Sequence, residues 1–186
     1  MLVELVGPAG AGKSTVFQAL VSRRGDVETM PVLSRRPYTG VLLTSLLSVL
    51  AMLVRRKALR QRTREQVVMM GYLQALPRVL DKRQPRERIV VFDQGPIYFL
   101  TRPSLHDERL RDWRDRMVDT WSSRLDAVVW LDAPAEILID RINSRDKSHA
   151  LKGRPDEVAR ERVAASRVDL EETIVDFARR GGGPSE

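Results

Sequence analysis

Short apolar runs alternate along this chain with longer stretches in which apolar residues recur every three or four positions. Leu2–Val6 is an apolar run containing Glu4 and closed by Gly7, the pattern of a buried strand. Over Ser14–Arg24, Val16, Phe17 and Leu20 share one helical face, and Gly25 stops the helix. Val27–Leu33 reads as a weaker strand, because Pro31 lies within it. Val41–Leu53 is apolar almost throughout and predicts a buried helix. Arg64–Leu80 carries Met69, Leu73, Leu76 and Leu80 in helical register, with Pro77 expected to kink it. Arg88–Phe92 is a buried strand ending at Asp93. Asp107–Arg124 predicts an amphipathic helix with Leu110, Trp113, Met117 and Trp121 on one stripe. Ala127–Leu131 is a third clear strand, and Pro134 opens a helix running to about Arg145. Asp146–Asp156 is polar and reads as a loop. A last helix runs to Arg180, with Val163, Leu170, Ile174 and Phe177 facing the core.

Strands alternating with helices imply a parallel sheet covered on both faces, an α/β fold. Such folds bind ligands at the carboxyl ends of their strands. The places to look are therefore just after Val6, Leu33, Phe92 and Leu131. The expected organisation is one domain over residues 1–180, a lid at about 146–156, and a disordered Gly-rich tail over 181–186.

The chain has no cysteine, which removes disulfides, thiolate metal sites and Cys nucleophiles. Two histidines, His106 and His149, nearly exclude a multi-His metal site. The longest apolar run, Val41–Val54, has 14 residues, fewer than the roughly 20 a membrane-spanning helix needs. The first residues lack a basic region, so they read as a strand and not a signal peptide. A cytoplasmic protein is expected. The 32 Lys and Arg against 25 Asp and Glu leave a net +7, which points to anionic partners.

The first strand end carries the most specific chemistry. Residues 7–15 read G-P-A-G-A-G-K-S-T, which satisfies G-x-x-x-x-G-K-[ST] between a strand and a helix. Gly7, Gly10 and Gly12 let the backbone curl so that successive N–H groups address one anion, with Pro8, Ala9 and Ala11 between them. Lys13 would reach the β- and γ-phosphates of a nucleotide. The Ser14 hydroxyl, followed by Thr15, is a hard oxygen suited to Mg²⁺.

Asp93 arrives at the tip of a buried strand, where a Mg²⁺ site beside a phosphate loop needs a carboxylate. It could hold the metal through water or take a proton from a hydroxyl nucleophile. Arg141 and Arg145 are four residues apart on one predicted helix, so they are expected to share a face and clamp transferring phosphate. The basic loop after them suits a lid over phosphates.

With its phosphate loop, Asp93, and Arg141-x-x-x-Arg145 after V-V-W-L-D-A-P, the chain resembles the nucleoside and nucleotide kinases of the P-loop class, thymidylate kinases in particular. The likeness covers about residues 1–150. It implies a three-layer P-loop NTPase fold, Mg-ATP as phosphoryl donor, a lid that contributes arginines, and an acceptor pocket built from the middle helices. The family's strand order, 2-3-1-4-5, becomes 2-3-1-4 here, since the last helix runs into Gly181 and the fifth strand is missing. Arg35 and Arg36 sit where the family grips the acceptor's phosphate. Thymidylate kinases carry Asp-Arg where this chain has Asp93-Gln94, so Gln94 would instead hydrogen-bond a polar acceptor.

The expected activity is transfer of the γ-phosphoryl group of Mg-ATP to a nucleoside, nucleotide or similar acceptor. Two other readings stay open: a P-loop ATPase acting as a switch, and a protein that binds anionic surfaces such as membranes. The apolar run Val41–Val54 followed by the six basic residues of Arg55–Arg64 fits a buried or homodimer-interface helix beside a solvated loop. It also fits peripheral membrane contact. Aromatic residues are too scarce in the basic run to support nucleic-acid binding.

Overall fold

The computed structural model describes residues 1–23, 27–29, 38–82, 89–145 and 149–181. Four strands form one parallel sheet: β1 (Leu2–Val6), β2 (Val27–Thr29), β3 (Ile89–Phe92) and β4 (Ala127–Trp130), in the order β2-β3-β1-β4. This is the order that the family resemblance implies. The register pairs Val3 with Val91 on one side of β1 and with Ala127 on the other. No fifth strand occurs among the described residues, and β4 is an edge strand with Val129 40% exposed.

Successive side chains of a strand point to opposite faces, and the core divides accordingly. Leu5 and Val91 pack with Val27 against Val16, Phe17 and Leu20 of α1 (Lys13–Arg23). Val6, Val90 and Phe92 join the larger core on the other face. That core is built from α2 (Thr39–Arg55), α3 (Arg64–Lys82), α4 (Pro96–Leu100), α5 (Arg111–Ser122) and α7 (Asp156–Arg180). A nine-residue helix between them, α6 (Ala135–Asn143), buries Leu138, Ile139 and Ile142. The result is the three-layer α/β arrangement of P-loop NTPases.

Pro77 lies inside α3 without ending it. Proline has no N–H to donate to the carbonyl four residues back. That carbonyl, on Leu73, accepts instead from the indole Nε1 of Trp121 at 3.2 Å. Trp121 is fully buried and meets Phe92 of β3 edge-on at 6.0 Å, so the proline gap helps lock α5 between α3 and the sheet.

Three expectations change. The helix over 107–124 divides into a 3-10 turn at Glu108–Leu110, capped by Asp107 on the Arg109 N–H, and α5 proper. The short α4 was absent from the hydrophobic pattern, being too brief for a helical period to register. The middle helix α2 is not buried all round. Ser45, Val49 and Leu53 face the core, while Leu43, Leu47 and Val54 are 58%, 58% and 59% exposed. Pro31 and Leu33, Arg35 and Arg36, the start of the expected lid at 146–148, and the tail at 182–186 lie outside the described residues.

Candidate phosphate-binding and acceptor site

The phosphate loop leaves β1 at Val6 and enters α1 at Lys13. Gly7 has φ +146°, and a Cβ there would stand 1.9 Å from the Leu131 carbonyl oxygen. Gly10 has φ +91°, and its Cβ would meet the Leu138 carbonyl oxygen at 2.7 Å. The loop is thus threaded against the backbone beyond β4 and within α6, where a side chain has no room. The first-turn N–H groups of a helix have no acceptor within it, which makes the start of α1 a natural anion site.

Lys13 Nζ donates to the carbonyl oxygens of Gly7 at 2.7 Å and Pro8 at 3.0 Å, so the ammonium is held over its own loop. Burial pushes its pKa below the ordinary lysine value; Asp93 pulls it back up and Arg145 pushes it further down. The Ser14 hydroxyl donates to Asp93 Oδ2 at 2.9 Å. Two hard oxygen donors therefore stand together beside a ring of backbone N–H groups and a lysine. This donor set fits Mg²⁺ bound to a nucleoside triphosphate.

These groups line an open cleft of about 850 Å³, together with Gln94, Tyr98, Thr101, Arg102, Arg145 and His149. Residues 7–10 and 12–15 border it; Ala11, whose N–H bonds the Pro8 carbonyl at 3.3 Å, does not. The far wall comes from α7 through Arg162, Ser166 and Asp169, residues that no sequence signal singled out. His149 is partly buried and sits near Arg145, and both effects lower its pKa.

The arginine pair does not share a helix, because α6 ends at Asn143. Arg141 Nη1 donates to the Gly10 carbonyl at 3.3 Å and braces the loop from outside the cleft. Arg145 follows the helix end and borders the cleft itself.

A second pocket of about 340 Å³ opens beside the first. Val68, Met69, Tyr72, Leu73, Leu76 and Phe99 make it mainly apolar, and Gln94 and Arg102 border both spaces. Arg102 lies 5.4 Å from the Tyr98 ring centroid and 5.7 Å from that of Phe99, and reaches Glu65 at 3.7 Å. Aromatic faces and a carboxylate thus hold a cation at the junction.

Beneath this junction lies Glu4, completely buried in β1. Its carboxylate accepts from the backbone N–H groups of Gly95 (3.0 Å), Ile97 (2.9 Å) and Tyr98 (3.0 Å). A Cβ on Gly95 would stand 2.6 Å from the Glu4 carboxyl carbon, so glycine is required for this approach. Burial raises the Glu4 pKa to about 7, outweighing the three N–H donors that lower it. The segment following Asp93 is thereby pinned to the strand that launches the phosphate loop. The signal was present in the sequence: one acidic residue inside an apolar strand must find hydrogen-bond partners if it points inward.

A family described as AAA domain matches residues 2–173. Among solved structures, deoxyadenosine kinase from M. mycoides with bound dATP aligns at 21% identity and TM-score 0.47, over 94% of this chain and 84% of that one. No curated protein matches the chain. The family match spans both the phosphate loop and the helices that enclose the cleft, so the chain belongs to the AAA-domain family of P-loop proteins.

Proposed function

We propose that this protein is an ATP-dependent small-molecule kinase, transferring the γ-phosphoryl group of Mg-ATP to a nucleoside, nucleotide or similar acceptor. The observation that carries the reading is the junction of two cavities at Gln94 and Arg102. One has mixed polar and apolar walls and holds the phosphate loop; the other is mainly apolar and could enclose an acceptor. An acceptor there would present its reacting oxygen to the phosphate end of the first cleft. A switch ATPase has no need of this second pocket.

Each residue then has a part. The loop N–H groups and Lys13 hold the β- and γ-phosphates, and Ser14 and Asp93 hold Mg²⁺, which when bound neutralises phosphate charge. The hydrogen bond from Ser14 to Asp93 favours a metal-side role for Asp93 over that of a base. Arg145 supplies positive charge at the cleft edge, and residues 149–155 belong to the lid. Gln94 hydrogen-bonds the acceptor, and Arg102 supplies the positive charge that thymidylate kinases carry next to their aspartate. Transfer joins the acceptor oxygen to the γ-phosphorus, breaks the bond from that phosphorus to the β–γ bridging oxygen, and releases the acceptor's proton to solvent. Positioning and electrostatics carry most of such a reaction.

The test is an acceptor screen coupled to ADP formation, starting with deoxynucleosides, thymidine monophosphate and simple sugars. We expect ADP release that depends on one acceptor class and disappears in Lys13→Ala. Equal ATP turnover with and without every acceptor would overturn the reading in favour of an ATPase.

A further inference from the structure

We propose that the outward face of α2 and the basic turn after it dock the protein on an anionic lipid surface. In the helix, Leu43, Leu47, Ala51 and Val54 lie within one narrow sector, opposite the core-facing Ser45, Val49 and Leu53. Leu43, Leu47, Ala51 and Val54 are all exposed. A solvated helix face normally carries charge, yet no charged residue occurs from Thr39 to Val54. Exposed apolar surface of this kind marks an interaction site.

The charge beside the stripe identifies its occupant. The chain leaves α2 through Lys57, which has φ +54°, while the Ala58 N–H bonds the Leu53 carbonyl at 2.8 Å. That helix-ending turn buries Ala58 and leaves Arg55, Lys57 and Arg60 exposed next to the stripe. Arg64 follows, also exposed. None of these four makes an ion pair among the described residues, whereas their neighbours Arg56 and Arg62 are committed to Asp112 and Asp107. No acidic residue falls between Thr39 and Arg64. An apolar stripe flanked by unpaired cations complements acyl chains below a layer of anionic headgroups. A second copy of the same face would bring like charges together, and nucleic acid would leave the leucines uncovered.

Co-sedimentation with vesicles tests this, using pure phosphatidylcholine and equal parts phosphatidylcholine and phosphatidylglycerol. We expect pelleting with the anionic vesicles at low salt, and none with the neutral ones. Arg55→Ala/Lys57→Ala/Arg60→Ala should weaken binding about a hundredfold, and Leu43→Asn/Leu47→Asn at least about tenfold. Both sets change exposed side chains, and far-ultraviolet circular dichroism checks that the fold is kept. Absence of pelleting at low salt overturns the proposal. So does binding unaffected by the leucine changes, or a dimer in light scattering that those changes dissolve. Retardation of a duplex oligonucleotide that the arginine changes abolish, without vesicle binding, overturns it too. None of these readouts depends on phosphoryl transfer.

Discussion

The Ser14 hydroxyl hydrogen-bonds the Asp93 carboxylate at 2.9 Å, across 79 residues of sequence. β1 and β3 are adjacent parallel strands, so their carboxyl ends bring the phosphate loop and Asp93 to one edge of the sheet. The pair should act as a unit toward Mg²⁺. We expect Ser14→Ala and Asp93→Asn each to raise the Mg²⁺ concentration needed for half-maximal activity. In a double-mutant cycle their effects should fall short of additivity by about 1–2 kcal/mol. Additive effects would mean that the two oxygens do not share a ligand.

Lys13 is the loop's charged side chain, held between the Gly7 and Pro8 carbonyls. Lys13→Ala should reduce turnover by about a thousandfold or more, with little change in melting temperature. Steady-state kinetics beside thermal melts will check this. A fall smaller than tenfold would remove Lys13 from the phosphate site.

At Gly7 a methyl group would collide with the Leu131 carbonyl. Gly7→Ala should destabilise the fold by at least about 2 kcal/mol in urea denaturation. It should also abolish nucleotide binding measured by calorimetry. Gly40→Ala, whose Cβ would meet nothing within 4 Å, should leave nucleotide binding intact.

Arg102 stands between the two cavities. Arg102→Ala should raise KM for the acceptor about tenfold or more, since a charge-assisted contact is worth about 1.5–3 kcal/mol. KM for ATP should change less. The opposite pattern would assign Arg102 to the nucleotide.

Glu4 ties stability to pH. Below about pH 4.5 it is protonated in both folded and unfolded chains. Above that, the unfolded carboxyl ionises while the buried one keeps its proton up to about 7. The folded state then binds more protons, so this group's contribution to stability falls as pH rises through that window and is lost above it. The full span corresponds to about 3 kcal/mol. Urea unfolding from pH 5 to 8 should show this slope in the parent and lack it in Glu4→Gln. Parallel slopes would mean that Glu4 titrates as an exposed carboxylate.

Periodicity and local motif were enough to define the parallel sheet, the phosphate loop, and Asp93 at a strand tip, while the strand order came from the family resemblance those motifs carry. These features depend on neighbours within a few residues, or on topological rules with few exceptions. Pro77 shows where local rules stop: the carbonyl that its ring leaves without a donor is satisfied by a tryptophan 44 residues on, a partner no local pattern names. Arg141 and Arg145 were paired by helical spacing, and a helix that ends at Asn143 separated their parts. Tyr98, Arg102 and the α7 wall had no local signature, because a pocket is made by side chains that meet only after the chain has packed. The same holds for α2. Its sequence is apolar on all sides, and only its packing against α3 decided which leucines were covered and which were left facing outward beside unpaired arginines.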